Sequence, residues 1–129
     1  MSLPQDLKYH KEHDWVRLES DGVAVIGITE FAAESLGDVV FLDLPEPGTE
    51  LRQFQKLGEI ESVKAVSDLY SPIGGRVIDR NQQAIDSPEI VNESPYESGW
   101  LIKVEPADTA EFDNLMTAAK YEALLAEES

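Results

Sequence analysis

Two turn signals rich in proline and glycine enclose the segment that most constrains the fold of this chain. The first covers residues 45–48 (PEPG) and the second covers residues 71–75 (SPIGG). Between them, Lys56–Ser62 and residues 65–71 read as two strands that pair with each other. The pattern predicts a hairpin with Lys64 at its tip. By position alone, an exposed lysine in a turn is most often an ordinary solvated side chain.

Much of the remaining chain reads as short strands. Residues 23–28 (VAVIGI) and 39–44 (VVFLDL) are nearly continuous apolar runs rich in β-branched residues, which is typical of strands buried on both sides. We expect them to form the inner walls of two sheets. Residues 100–105 alternate between two faces, which predicts a strand with one inward face and Trp100 in the core.

A short helix is predicted in the first half of the chain. Thr29 is placed to cap it, Leu36 ends it, and Gly37 is the residue at which it stops. This is the one internal helix that we expect.

Further helices are predicted near the C-terminus. Asp108 followed by Glu111 is a capping-box pattern before residues 112–116, and Thr117 can cap a last helix. The apolar stripe of that last helix is predicted to pack against the sheets; its members are Tyr121, Leu124 and Leu125.

Length and composition fit one domain over residues 1–129. With 42% hydrophobic residues, a chain of 129 residues can bury one core and has no room for a second catalytic domain. No apolar run of membrane length and no targeting segment is recognised, so we expect a cytoplasmic protein without membrane attachment. The chain has no cysteine, so any thiol chemistry must come from a cofactor.

The charge balance excludes one class of partner. Ten basic against 26 acidic side chains give a net charge of −16, which would repel the phosphates of a nucleic acid. An acidic surface keeps a protein soluble, and it also steers the protein toward basic patches on enzymes.

The hairpin segment GEIESVKAVSDLYSPIGG (residues 58–75) resembles the attachment site of lipoyl- and biotin-carrying domains. Read whole, the chain resembles the H protein family of the glycine cleavage system. In that family the lysine carries lipoate in an amide bond, and a glutamate three residues before it and a glycine eleven after it help the ligase to recognise it. Glu61, Lys64 and Gly75 match those three positions.

The resemblance extends along nearly the whole chain. It includes LKYHKEHDWV (residues 7–16), the stretch VAVIGITEFAAESLGDVVFLDLPEPG (23–48), the stretch SPEIVNESPYESGWLIKV (87–104) and the tail KYEALL (120–125). Phe31 departs from the family pattern, where histidine or tyrosine is common.

The resemblance implies a mainly β fold, a barrel-sandwich hybrid of two antiparallel sheets with a short internal helix and C-terminal helices. It implies a single lipoyl-carrier domain with an N-terminal extension and no catalysis of its own. The lipoylated protein would carry the aminomethyl group from a pyridoxal-phosphate-dependent glycine decarboxylase to a folate-dependent aminomethyltransferase. Dihydrolipoyl dehydrogenase would reoxidise the arm, and a lipoate ligase or transferase would attach it.

The resemblance also implies a surface cleft in which the loaded arm rests. Glu12, Asp14 and Asp68 occupy the positions whose acidic and polar groups meet the amine in the family. In so acidic a chain, plain solvated surface is the competing interpretation of these three carboxylates.

Two other functions compete with the shuttle. Biotin on the same lysine is one, although biotin carriers usually flank the lysine with methionines and the flanks here are Val63 and Ala65. The other is a lipoyl donor or relay in protein lipoylation. A metal site is disfavoured because His10 and His13, three residues apart, point to opposite faces of a strand and have no third histidine.

Overall fold

Nine strands form two antiparallel sheets in residues 3–128, which are the residues that this computed structural model describes. The strands are β1 (Lys8–Tyr9), β2 (Asp14–Leu18), β3 (Ala24–Ile28), β4 (Val39–Asp43), β5 (Glu50–Leu51), β6 (Lys56–Ser62), β7 (Val66–Tyr70), β8 (Gly75–Arg80) and β9 (Ile102–Pro106). The helices are α1 (Glu30–Leu36), α2 (Gln82–Asp86), α3 (Glu89–Glu93) and α4 (Ala118–Glu128), with a 3₁₀ helix at Thr109–Asn114.

The larger sheet has six strands in the order β1-β2-β3-β9-β8-β5, and the smaller has three in the order β4-β6-β7. The main hydrophobic cluster draws side chains from both sheets, including Ile26 and Ile102 from the larger and Ile60 from the smaller, each at most 1% exposed. Full burial of such a side chain contributes about 1.5–3 kcal/mol of apolar transfer free energy. The predicted two-sheet fold is confirmed.

A second cluster fixes the C-terminal helix to the larger sheet. The rings of Tyr9 and Tyr121 stack with their centroids 4.7 Å apart, and both side chains are fully buried. Leu124 and Leu125 pack at the edge of this cluster. The apolar stripe of α4 therefore packs within the molecule, as predicted.

The predicted capping residues are confirmed at three helices, but the extent of one helix needs correction. Thr29 accepts a hydrogen bond from Ala32 N at the start of α1, and Thr117 Oγ1 accepts one from Lys120 N at the start of α4. Asp108 Oδ1 accepts one from Ala110 N, but the element that follows is a 3₁₀ helix over Thr109–Asn114 and not a helix that begins at residue 112. The carboxylate of Glu111 accepts from the backbone of Gly74 and thus joins two distant segments.

The smaller sheet corrects the prediction for residues 39–44. They do form a strand, but β4 lies at a sheet edge and is exposed on one side, with Val40 49% and Phe41 56% exposed. The prediction of burial on both sides is right for β3, whose five residues are all buried. Trp100 is only partly buried, and the ammonium of Lys103 lies 4.9 Å from its ring centroid.

No helix within residues 3–128 is both long enough and apolar enough to cross a membrane.

Candidate attachment site and groove

Lys64 lies in the short loop that connects β6 to β7. Glu61 pairs with Val66, and one step further Ser62 N donates to Ala65 O at 2.8 Å, which closes the loop. The Ser62 hydroxyl, itself buried, accepts from Ala65 N at 3.1 Å and from Lys64 N at 3.3 Å. Three hydrogen bonds donated by backbone N–H groups therefore hold the loop beneath Lys64. The lysine is exposed at the tip of a hairpin, as the sequence predicted.

The hairpin tip is also fixed to the body of the protein. Val63 N donates to Asp38 O at 3.0 Å, directly before β4 begins. The Lys64 side chain passes over Gly37, since a Cβ built on that glycine would contact Lys64 Cε at 3.6 Å. Within residues 3–128 the Lys64 ammonium has no hydrogen bond or ion pair. The base of the side chain is rigid and its amine is free to react.

Glu61 and Gly75, the two predicted recognition residues, lie in different sheets. Glu61 is exposed on β6, and Gly75 is buried at the start of β8 in the larger sheet. Gly75 has φ 153°, and a Cβ there would overlap the carbonyl oxygen of Glu105 on β9. Close approach of two strands is thus one physical reason for glycine at this position.

A groove of about 430 Å³ begins beside the attachment loop and follows β7. One wall is β7, and the other is α1 together with the loop before β2. Its lining residues include Ala65, Ser67, Asp68 and Tyr70 from the hairpin, Phe31, Ser35 and Leu36 from α1, and Glu12 and His13 from the loop. The groove therefore leads from Lys64 to a carboxylate on the opposite wall.

The two carboxylates in this groove differ in their partners. Asp68 lies 3.2 Å from the ammonium of Lys56, which also binds Glu59 at 2.9 Å. Glu12 is exposed and has no hydrogen bond or ion pair in the part of the chain described. Glu12 is thus the carboxylate that remains available to a cation in the groove. Lys56 could not be identified from the sequence, because residues three apart on a regular strand point to opposite faces. The register between β6 and β7 shifts between Lys56 and Gly58, and the sequence does not show that irregularity.

Asp14 departs from its expected place in the cleft. It is 4% exposed and is absent from the lining of the groove. Its Oδ1 lies 2.8 Å from His10 Nδ1, and the His10 ring stacks on Phe54 at a centroid distance of 4.6 Å. Burial raises the pKa of the Asp14 carboxyl group, and the hydrogen bond with His10 offsets part of the rise. The structure therefore brings together two of the three expected cleft residues.

The other histidine belongs to a separate network. His13 Nδ1 lies 2.8 Å from the hydroxyl of Tyr121, which lies 2.7 Å from Thr29 Oγ1. The Phe31 ring packs against His13 at 4.7 Å. Within residues 3–128, no group of three or more histidine, aspartate or glutamate side chains could hold a metal ion. His13, which sequence reasoning assigned no role, instead joins the groove wall to α4.

A protein-family model described as "Glycine cleavage H-protein" matches residues 7–128. The chain belongs to this family. Among curated relatives, the glycine cleavage system H protein of Bacillus licheniformis is 53% identical over 128 residues, covering 99% of this chain and 100% of the relative. The H protein of Bacillus subtilis is 52% identical with the same coverage. A crystal structure of a glycine cleavage system H protein from Mycobacterium marinum superimposes with a TM-score of 0.89 at 37% identity, covering 96% of this chain and 99% of that chain.

Membership of the glycine cleavage H-protein family establishes the function of this chain. It is a non-catalytic carrier in glycine cleavage, with lipoate attached covalently to a lysine. It carries an aminomethyl group from glycine decarboxylase to aminomethyltransferase, passes electrons to dihydrolipoyl dehydrogenase and receives lipoate from a ligase. Lipoate, and not biotin, is the cofactor.

Proposed function

We propose that Lys64 is the lysine that carries lipoate and that the whole chain, residues 1–129, acts as one shuttle domain. The observation that carries this proposal is the hairpin tip, where a free ammonium stands on a backbone held by three hydrogen bonds. A rigid base with a flexible arm raises the effective concentration of the arm at each docked active site. One core shared by both sheets supports a single domain.

The residues beside Lys64 fit a long acyl arm. Leu36, Ile60 and Leu69 give the groove apolar contacts for a hydrocarbon chain, and Glu12 offers a carboxylate to a cationic nitrogen. When bound, lipoate supplies a disulfide that is reduced as it accepts the aminomethyl group. The apolar walls would limit the access of water to the carried group, and Glu12 would hold its charged end.

We propose different roles for the two recognition residues. Glu61 offers its carboxylate to the ligase directly from the exposed face of β6. Gly75 acts through the fold, because it permits the close approach of β8 and β9. We also propose that the protein works in the cytoplasm, since reoxidation of the arm delivers electrons to NAD and needs a compartment that contains it.

The test is to lipoylate the purified protein with a lipoate ligase and to map the modified peptide. The expected product carries one lipoyl group, on Lys64. Amidation removes one positive charge and makes the net charge one unit more negative than −16, so anion exchange separates the two forms.

Lys64→Arg and Lys120→Arg form a matched pair of variants at exposed lysines. Lys64→Arg should accept no lipoate and support no glycine decarboxylation with the partner enzymes, while Lys120→Arg should match the wild type. Both should keep their stability, since surface substitutions change it by about 0.5 kcal/mol or less. Lipoate mapped to any other lysine would refute the proposal.

A further inference from the structure

The carboxylate that we assign to the cationic end of the carried group lies in a tight turn. Glu12 is exposed, and within residues 3–128 it forms no hydrogen bond or ion pair. Its neighbours close the turn, since His10 N donates to Asp14 O and His13 N donates to His10 O, both at 2.9 Å. The place of Glu12 beside the groove is therefore set by the residues on either side of it.

His13 is the neighbour that joins this turn to the rest of the molecule. Its φ is 72°, which is uncommon for a residue other than glycine, and its carbonyl oxygen accepts from Thr29 N at 2.9 Å. Its ring nitrogen Nδ1 lies 2.8 Å from the hydroxyl of Tyr121, and Nε2 lies 3.2 Å from Oε2 of Glu128. Both of these partners belong to α4. A backbone outlier of this kind persists only where its surroundings hold it in place.

The hydrogen bonds of this network run in one direction. The carboxylate of Glu128 can only accept, so we assign a hydrogen to Nε2 of His13, and Nδ1 of the neutral ring is then an acceptor. Tyr121 donates to Nδ1 and accepts from the hydroxyl of Thr29, 2.7 Å away, which in turn accepts from Ala32 N. Burial raises the pKa of the Tyr121 hydroxyl group, so it keeps the hydrogen that it donates. Every member of the network is thus satisfied, although the side chains of Thr29 and Tyr121 are fully buried.

The hydroxyl of Tyr121 therefore connects α4 to both the turn that holds Glu12 and the N-terminus of α1. The ring of Tyr121 is fixed from behind by its stack on Tyr9. On the side of the groove, the Phe31 ring packs against His13 with 4.7 Å between centroids. Loss of the hydroxyl would leave Nδ1 of His13 without its donor and free the imidazole to turn, and the adjoining carboxylate would move with it.

We propose that Tyr121 is a positioning residue for the carried group, which acts through His13 to hold the carboxylate of Glu12 beside the groove. This inference rests on Glu12 being the carboxylate that binds the carried amine. Tyr121 itself does not line the groove, and it makes and breaks no bond of the carried group. A displaced carboxylate would bind the amine less well, so the loaded arm would lose its aminomethyl group sooner.

The experiment measures how long the full, lipoylated chain retains its aminomethyl group. Each protein is loaded enzymatically, freed of the decarboxylase and kept well below its melting temperature while the release of ammonia is followed. The variants are Tyr121→Phe, Glu12→Gln and the double variant. The matched control is Tyr9→Phe, which removes the other hydroxyl of the stacked ring pair. That hydroxyl donates to Pro4 O at 2.6 Å, and Tyr9 does not line the groove.

For Tyr121→Phe we expect ammonia to be released about threefold faster, because one hydrogen bond that fixes the position of Glu12 is lost. Glu12→Gln alone should have an effect at least as large. In the double variant, Tyr121→Phe should add nothing further, since a residue that acts through a carboxylate has no effect once that carboxylate is gone. Tyr9→Phe should release ammonia at the wild-type rate even where it lowers Tm as much as Tyr121→Phe does.

A spectroscopic measurement on the wild type tests the network without any variant. The ¹⁵N chemical shifts of the His13 ring should report a hydrogen on Nε2 and none on Nδ1. A hydrogen on Nδ1 instead would remove the donor role of Tyr121 and overturn the inference.

Three kinetic results would also overturn it: an unchanged rate in Tyr121→Phe while Glu12→Gln releases ammonia faster, an equal increase in Tyr121→Phe and Tyr9→Phe, or additive effects in the double variant. The second would show a general loosening of the fold, and the third an action that bypasses Glu12. Failure of the underlying proposal is distinguishable, because Glu12→Gln alone would then retain the carried group as long as the wild type does.

Discussion

His10 and Asp14 form a buried pair, with 2.8 Å between His10 Nδ1 and Asp14 Oδ1 and exposures of 7% and 4%. The second carboxylate oxygen of Asp14 is buried without a hydrogen-bond partner among residues 3–128. A buried carboxylate with only one oxygen satisfied is costly to ionise. Burial accordingly raises the pKa of Asp14, in spite of the hydrogen bond with His10.

The raised pKa gives a prediction for stability against pH. When the pKa of a carboxyl group is higher in the folded state than in the unfolded state, the unfolded chain releases the proton more readily. The protonated Asp14 therefore makes its full contribution to the free energy of unfolding below the pKa that it has in the unfolded chain, near 3.8. That contribution is lost as pH rises through the higher pKa that Asp14 has in the folded protein. The free energy of unfolding of wild type minus that of Asp14→Asn should therefore fall as pH rises through this range.

Denaturant titrations at a series of pH values measure this difference. Asp113→Asn, at an exposed aspartate, is the control for loss of a charge. A difference between wild type and Asp14→Asn that stays constant with pH, or that rises, would contradict the prediction.

Gly75 gives a prediction that separates recognition from folding. In Gly75→Ala the new Cβ would overlap the carbonyl oxygen of Glu105, so β8 and β9 must move apart. We expect the free energy of unfolding to fall by about 2–4 kcal/mol, from overpacking and backbone strain together. Gly48→Ala should cost only about 1 kcal/mol, because φ is 98° there and no atom lies within 4 Å of the added Cβ.

Lipoylation of Gly75→Ala should then be measured well below its melting temperature. If Gly75 acts through the fold, the folded variant accepts lipoate at the rate of the wild type. A folded variant that is lipoylated slowly would show instead that the ligase reads this position directly.

Features with a local physical cause could be predicted from the sequence. Thr29 and Gly37 bound α1 through a side-chain cap and a positive φ of 77°, both of which depend on residue type and near neighbours. The hairpin around Lys64 follows in the same way from its turns and strand residues. The helices α2 and α3 were missed because five residues are too few to show a helical period.

Features that depend on contacts between distant segments could not be predicted. Val40 and Phe41 are exposed in succession because of a bulge against β6, and nothing within β4 shows that bulge. Asp14 lies at the start of a strand whose burial depends on the preceding loop, where His13 adopts a positive φ of 72°. The sequence therefore predicted two carboxylates that lie beside the groove, Glu12 and Asp68, but not the burial of Asp14.

Asn92 gives a prediction about the support of the attachment loop. Its Oδ1 accepts from Val39 N at 2.9 Å, and its Nδ2 donates to Gly37 O at 2.7 Å, so it joins α3 to the segment between α1 and β4. Asn92→Asp keeps the acceptor but replaces the donor with a charged oxygen that faces a carbonyl. We expect a loss of about 1–3 kcal/mol in the free energy of unfolding.

Chemical denaturation measures the effect of Asn92→Asp. Asn114→Asp is the matched control, since Asn114 is exposed and, among the residues that the structure describes, its amide donates only to the side chain of Gln53. Equal losses in the two variants would mean that the contacts of Asn92 add nothing beyond those of an exposed amide.

The last prediction concerns the two carboxylates of the groove. Lys56 already binds Asp68, whereas Glu12 has no ion pair within the described residues, so Glu12 should hold the cationic end of the carried group more strongly. Glu12→Gln should therefore speed loss of the carried aminomethyl group more than Asp68→Asn does. The increase should be up to about fivefold, the equivalent of about 1 kcal/mol, because the groove is open to solvent.

The measurement loads each protein enzymatically with the aminomethyl group, removes the decarboxylase and follows the release of ammonia. Lipoylation itself should be unchanged in both variants, because Glu12 and Asp68 lie outside the loop that carries Lys64. If Asp68→Asn loses the carried group faster than Glu12→Gln, then the ion pair with Lys56 does not occupy Asp68 in the loaded protein, and the assignment of the binding carboxylate must be reversed.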